Sequence, residues 1–67
     1  MNSKKININN KYEIRITWNN DVRRLYVMYD LVNDKRLCES FSLDSFLIKA
    51  NKIVKLGNKI ECLIASY

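Results

Sequence analysis

The sequence lacks histidine and has only two cysteines, Cys38 and Cys62. Without histidine the chain cannot form the Ser-His or Cys-His pair that most nucleophilic hydrolases use. A structural zinc site takes four Cys or His ligands in most cases, so no metal site is expected. A disulfide would need an oxidising compartment, for which the chain shows no targeting signal, so each cysteine is predicted to be a small buried hydrophobe.

Proline is absent and glycine occurs once, at Gly57. A loop that cradles phosphate needs several glycines, so this type of nucleotide site is excluded. No Gly-rich linker, repeat or low-complexity segment divides the chain. We therefore predict one domain over residues 11–67, preceded by an N-terminal arm or strand extension over residues 1–10.

Long apolar runs are also missing. None approaches the roughly 18 residues needed to span a bilayer, and the first ten residues lack the apolar stretch of a signal peptide. We expect a cytoplasmic protein with no membrane partner. A chain of 67 residues buries only about 60% of the surface that its unfolded form exposes. A partner or a second copy would therefore add stability.

The seven carboxylates are scattered over turns, a helix cap and outer strand positions. No spacing forces two of them into one acid-base site, so we predict no catalytic residue, no cofactor and no enzymatic activity. A histidine-free nuclease using Arg23, Arg24 and Tyr26 is the alternative left open. The net charge of +5 favours approach to polyanions or acidic proteins, although such a charge is also common in small soluble domains.

Lysine, asparagine and isoleucine together supply 25 of the 67 residues. Their codons are dominated by A and T, so this composition is typical of a very AT-rich genome. It indicates a low-GC bacterium or its mobile elements as the source.

The stretch from Ile6 to Trp18 carries an apolar residue at every even position except Asn10. Strict alternation predicts a strand with one buried face, because successive side chains leave a strand in opposite directions. Ile14, Ile16 and Trp18 are expected to point into the core. A turn at residues 19–21 then leads into a second strand, residues 24–32, and a turn at residues 33–35 leads into a short third strand, residues 36–41.

From Ser42 the apolar period becomes helical, and the stripe consists of Phe46, Leu47, Ala50, Ile53 and Val54. Ser42 or Asp44 can cap the first turn, and Gly57 suits the position just past the end. These signals predict a single long helix from about Asp44 to Leu56, with Phe46 beside Trp18.

The nearly continuous apolar run from Ile60 to Tyr67 is typical of a strand covered on both faces. The predicted fold is therefore α+β with the order β-β-β-α-β. It consists of a three-stranded antiparallel meander, one helix packed on one sheet face, and a C-terminal return strand that lies parallel to the third strand.

Two surfaces are candidate sites. If the odd-numbered residues of the second strand face the helix, the opposite sheet face is apolar and uncovered, as protein interfaces tend to be. Its predicted partner-binding residues are Tyr26, Met28, Val32, Leu63 and Tyr67, with Arg15 and Arg24 at the rim. Homodimerisation for stability alone, or partial cover by the N-terminal arm, are the alternatives.

The second surface is basic and consists of Lys49, Lys52, Lys55 and Lys59. Such a row can contact phosphates without reading sequence, or it can be an ordinary solvated helix face. It supports a second hypothesis, a small basic nucleic-acid-binding protein, either monomeric or dimeric, that also uses Arg15, Arg23, Arg24 and Arg36.

The segments KYEIRITW, RLYVMYDLV, LDSFLIKANKIVKLG and KIECLIASY resemble, in size and layout, small phage proteins that inhibit host machinery. These include anti-CRISPR proteins and a phage inhibitor of bacterial RNA polymerase. The resemblance covers residues 11–67 and identifies no functional residue. It implies a non-enzymatic inhibitor of anti-defence type that blocks a bacterial protein or nucleoprotein target by stoichiometric binding.

Overall fold

The structure, a computed structural model, describes residues 2–18, 23–55 and 59–65. In this part of the chain four strands form one antiparallel sheet, followed by two helices. The strands are β1 (Asn2–Ile8), β2 (Tyr12–Trp18), β3 (Leu25–Asp30) and β4 (Lys35–Ser40), in the spatial order β1-β2-β3-β4. The helices are α1 (Leu43–Ile53) and α2 (Lys59–Ala65). The α+β class is confirmed, but the predicted order of elements is only partly correct.

The first hairpin joins β1 to β2 through Asn9 and Asn10. Both residues have positive φ, 53° and 59°, and the Lys11 amide donates to the Ile8 carbonyl at 3.0 Å. Asparagine tolerates this conformation better than most residues, and it is the conformation that tight hairpins require. Residues 2–8 therefore form edge strand β1, which pairs with β2. Asn10, the one break in the alternation, marks the turn.

The face assignment of β3 was wrong. Ile14 lies opposite Met28 and Ile16 lies opposite Tyr26, so all four side chains share the inner face. Met28 is fully buried and Tyr26 is 6% exposed, whereas both were predicted to project outward. Because β3 is apolar on both faces, its own sequence does not specify which face turns inward. A register shift of one residue exchanges the two faces.

The core lies between the inner sheet face and the helices. It contains Ile6, Ile8, Ile14, Ile16, Tyr26, Met28, Phe46, Ala50, Ile60 and Ile64. The rings of Tyr26 and Phe46 stack with their centroids 5.6 Å apart. Trp18, expected beside Phe46, packs half-buried against the margin of the same core.

Helix α1 begins after Ser42, one of the two predicted caps, whose Oγ accepts a hydrogen bond from the Ser45 amide at 3.4 Å. It ends at Ile53, where the Val54 amide donates to the Ala50 carbonyl at 2.8 Å. The helix is therefore shorter than predicted. Gly57, proposed as its C-terminal stop, lies outside the described residues.

The predicted return strand is instead helix α2. Ile60 and Ile64 are buried and Leu63 is half-buried, a spacing that places all three on one helix face. A short apolar run cannot be assigned to strand or helix by periodicity alone, which explains the error. Since α1 and α2 share one core with the inner sheet face, the opposite face carries neither helix.

Replacing Ser42 with alanine tests the helix cap. We expect Ser42→Ala to lower the free energy of unfolding by about 1 kcal/mol, because the Ser45 amide loses its acceptor. Ser45→Ala is the matched control, since Ser45 is exposed and contributes its backbone amide to the cap. Urea unfolding of both variants measures the difference. Equal losses would show that the Ser42 hydroxyl is not the stabilising group.

Candidate functional site

The open face is the sheet surface opposite α1 and α2. Its residues alternate along each strand with those of the core. Following the strand register, its main members are Lys5 on β1, Glu13, Arg15 and Thr17 on β2, Leu25, Val27 and Tyr29 on β3, and Arg36 and Glu39 on β4.

Tyr29 lies at the centre of the charged part of the open face. The Arg15 guanidinium carbon lies 4.2 Å from the Tyr29 ring centroid, and that of Arg36 lies 5.9 Å away. Both distances fall within the roughly 6 Å range of cation-π attraction. The two arginines come from β2 and β4, the strands on either side of β3, so the sheet itself positions them around the ring.

Each of these arginines also has a carboxylate partner on the same face. Arg15 Nε donates to Glu13 Oε1, and Arg36 Nη1 donates to Glu39 Oε2 at 3.3 Å. The hydrogen bond to Glu13 is the main cause that raises the pKa of Arg15, and the neighbouring Tyr29 side chain, followed by the charge of Glu39, raises the pKa of Arg36. Exposed ion pairs contribute little stability, so their main effect here is to orient the guanidinium groups.

An apolar strip runs along β3 between these charges. Val27 lies in register between Arg15 and Glu39 and is only 5% exposed, while Leu25 and Tyr29 are half-buried. Long charged side chains commonly lay their stems over apolar neighbours, which accounts for the burial of Val27. The open face thus has an apolar and aromatic centre with charges of both signs beside it.

The structure separates the predicted partner-binding residues. Arg15 belongs to the open face, but Tyr26 and Met28 are in the core on the other side of the sheet. Arg24 lies over the ring of Trp18, 5.2 Å from its centroid, and not beside Arg15. The rim predicted from Arg15 and Arg24 is therefore not one surface.

The remaining predicted members are also dispersed. Val32 is 72% exposed, but it lies in the turn after β3. Leu63 packs from α2 against the core and so is not part of a sheet face. Tyr67 lies outside the described residues. The described members of the predicted apolar patch therefore do not lie on one surface.

Sequence reasoning missed Leu25, Val27, Tyr29 and Arg36 as members of one surface. The first three were placed beneath the helix, because β3 offered two apolar rows and the wrong row was chosen. The charged odd positions of β2, Glu13 and Arg15, identified the solvated face of that strand correctly. To assign the faces of β3 in the same way, one must know the pairing register between β2 and β3. The sequence pattern does not specify that register.

The lysines proposed for nucleic-acid binding are all exposed. Lys49 Nζ donates to the Glu39 carbonyl of edge strand β4 at 3.2 Å, so this lysine is engaged within the fold. Lys52 lies in the last turn of α1, Lys55 follows that helix, and Lys59 begins α2. The lysines belong to the helix side of the molecule, whereas Arg15 and Arg36 belong to the open face.

The described residues contain no group of three Cys, Asp or Glu side chains that could hold a metal ion. Cys38 is half-buried against the core, and burial raises the pKa of its thiol. Cys62 is exposed, contrary to the prediction that both cysteines are buried. Neither of the helices described here combines the length and the hydropathy needed to cross a membrane.

No protein-family model, curated protein or solved structure matches the chain.

Proposed function

We propose that this protein is a non-enzymatic binding protein that recognises another protein through the open face of its sheet. The observation that carries the proposal is Tyr29 held between Arg15 and Arg36 beside a buried Val27. Tyrosine and arginine supply much of the binding energy at protein interfaces. Side chains that are already oriented lose less conformational entropy on binding, which favours affinity.

The mixed charges of the open face favour a protein over a nucleic acid. Arg15 and Arg36 are each paired with a carboxylate, Glu13 and Glu39, on the same surface. A phosphate backbone approaching these arginines would also meet the carboxylates, whereas affinity for nucleic acid relies on many uncompensated cations. A protein surface can present charges of both signs in a complementary arrangement.

In biological terms, we propose a phage or mobile-element inhibitor that acts in the bacterial cytoplasm by stoichiometric binding. Two features support this role. The amino-acid composition is typical of an AT-rich genome, and the chain resembles phage inhibitors in size and layout. The target would be a bacterial protein or nucleoprotein.

Affinity capture from a low-GC bacterial lysate, followed by binding measurements with the purified target, tests the proposal. We expect Tyr29→Ala and Arg15→Glu each to weaken binding by roughly thirtyfold or more, the effect of losing an interface anchor. Lys52→Glu is the control, because it reverses an exposed charge on the helix side. Circular dichroism confirms that each variant is folded.

The same measurements identify a failure of the proposal. If wild type, Tyr29→Ala and Arg15→Glu bind the target equally well, the open face is not the binding site. Recovery of DNA or RNA that depends on Lys52 and weakens steeply with salt would favour the nucleic-acid hypothesis, since an apolar interface holds at high ionic strength. A homodimer by light scattering that Tyr29→Ala dissociates would identify a second copy as the occupant.

A further inference from the structure

A cavity of about 310 Å³ lies on the helix side of the sheet, at the end where β2 finishes and β3 begins. Lys4, Ile16 and Tyr26 form one row across β1, β2 and β3 beneath it. Leu43 from α1 and Ile64 from α2 also line the cavity. It is on the opposite side of the sheet from the open face, so it constitutes a separate site.

Two cations line this cavity and share one aromatic ring. Lys4 Nζ lies 5.9 Å from the ring centroid of Trp18, and the Arg24 guanidinium carbon lies 5.2 Å from the same centroid. Glu61, from α2, lines the same cavity. Within residues 2–18, 23–55 and 59–65, the ion pairs within 4.0 Å join Arg15 to Glu13 and Arg36 to Glu39, so Glu61 forms no such pair with Lys4 or Arg24.

From this arrangement we infer that the cavity binds a small phosphate monoester that also carries hydrogen-bond donors, of the nucleoside monophosphate class. A phosphate monoester carries about −1.5 to −2 charges near pH 7, which matches the two cations Lys4 and Arg24, whereas a carboxylate would neutralise only one. The Arg24 guanidinium can bind two phosphate oxygens at once, and Lys4 adds a compact positive charge.

Glu61 determines what the ligand must offer besides its phosphate. A carboxylate is an acceptor only, so it requires a ligand hydroxyl or amine, and the sugar and base of a nucleoside carry both. The apolar side chains of Ile16, Leu43 and Ile64 provide a wall for the base. The volume lies at the lower end of the roughly 300–1,000 Å³ that small-molecule sites span, which limits the ligand to a mononucleotide.

Trp18 is the only tryptophan of the chain, and Lys4 and Arg24 both lie over its ring, so its fluorescence reports on these two cations. Wild-type protein is titrated near neutral pH with adenosine monophosphate, with inorganic phosphate and with adenosine, and calorimetry repeats each titration. We expect saturable binding of adenosine monophosphate, with phosphate and adenosine each at least tenfold weaker. Phosphate and adenosine should each bind more weakly because each makes only part of the contacts that adenosine monophosphate makes in the cavity.

Variants distinguish a formed site from general attraction by a basic protein. Lys4→Gln and Arg24→Gln should each weaken adenosine monophosphate binding tenfold or more, while Lys52→Gln, which removes the same charge from an exposed position on α1, should leave it unchanged. Glu61→Gln should strengthen the binding of inorganic phosphate, because a neighbouring negative charge is removed.

Three results would overturn the inference. The first is that neither method detects saturable binding of adenosine monophosphate at concentrations up to about 5 mM. A Kd above that concentration would be too weak for a formed site. The second is equal binding of adenosine and adenosine monophosphate, which would show that the phosphate is not recognised. The third is an equal loss of binding in Lys52→Gln and Arg24→Gln, which would show a non-specific charge effect.

Discussion

Met28→Lys is expected to unfold the protein. Met28 is fully buried and lies in register between Ile14 on β2 and Cys38 on β4, so the new ammonium group would enter an apolar core without a carboxylate partner. The group must then either be buried with its charge or lose its proton, and both cost several kcal/mol. A small domain has only about 5 kcal/mol of stability at the lower end of the usual range. Circular dichroism and urea unfolding measure the outcome.

Val32→Lys is the matched control, because it places the same side chain at an apolar position that is 72% exposed, in the turn after β3. A surface substitution of this kind should change the free energy of unfolding by no more than about 0.5 kcal/mol. A folded Met28→Lys variant with wild-type stability would show that Met28 faces solvent. The pairing of Met28 with Ile14 on the inner face of the sheet would then be wrong.

Phe46→Ala is expected to lower the free energy of unfolding by about 3–5 kcal/mol, the usual cost of deleting a buried aromatic ring. Phe46 is fully buried in α1 and stacks on Tyr26 with 5.6 Å between ring centroids, so the variant leaves a cavity between helix and sheet. Tyr26 would lose its stacking partner at the same time. Urea unfolding monitored by circular dichroism gives the difference from wild type.

Phe41→Ala provides the comparison, since Phe41 lies just before the Ser42 cap and is 57% exposed. We expect it to cost less than about 1 kcal/mol, because most of its ring is already in solvent. Similar losses in the two variants would mean that burial does not distinguish these phenylalanines and that the helix packs differently on the sheet.

Several features were predictable because their signals are local. In β2, charged Glu13 and Arg15 alternate with Ile14 and Ile16, and this pattern identified the buried face correctly. Ser42 precedes a helical apolar stripe and its hydroxyl caps α1, as predicted. Each of these signals depends only on residues within one strand or one helical turn, so no long-range contact is needed to interpret it.

The features that were not predicted depend on neighbours distant in sequence. The apolar run of α2 is compatible with either a strand or a helix. It forms a helix because Ile60 and Ile64 then both pack into the core between the sheet and the helices. Strand β1 becomes a separate element because residues 2–8 pair with β2 in register from Asn2 opposite Trp18 to Ile8 opposite Tyr12. The break at Asn10 marks the turn, but only the pairing shows that the chain reverses there.

By itself, the sequence determined an α+β domain with an alternating strand that ends at Trp18 and a capped helix from about Asp44, because side-chain periodicity and capping act over a few residues. The tertiary structure alone decided which row of β3 is buried. That row is set by the pairing of Met28 and Tyr26 with Ile14 and Ile16, and either row was apolar enough to fill the core. The composition of the open face follows from that choice, since Val27 and Tyr29 join Arg15 only when Met28 turns inward.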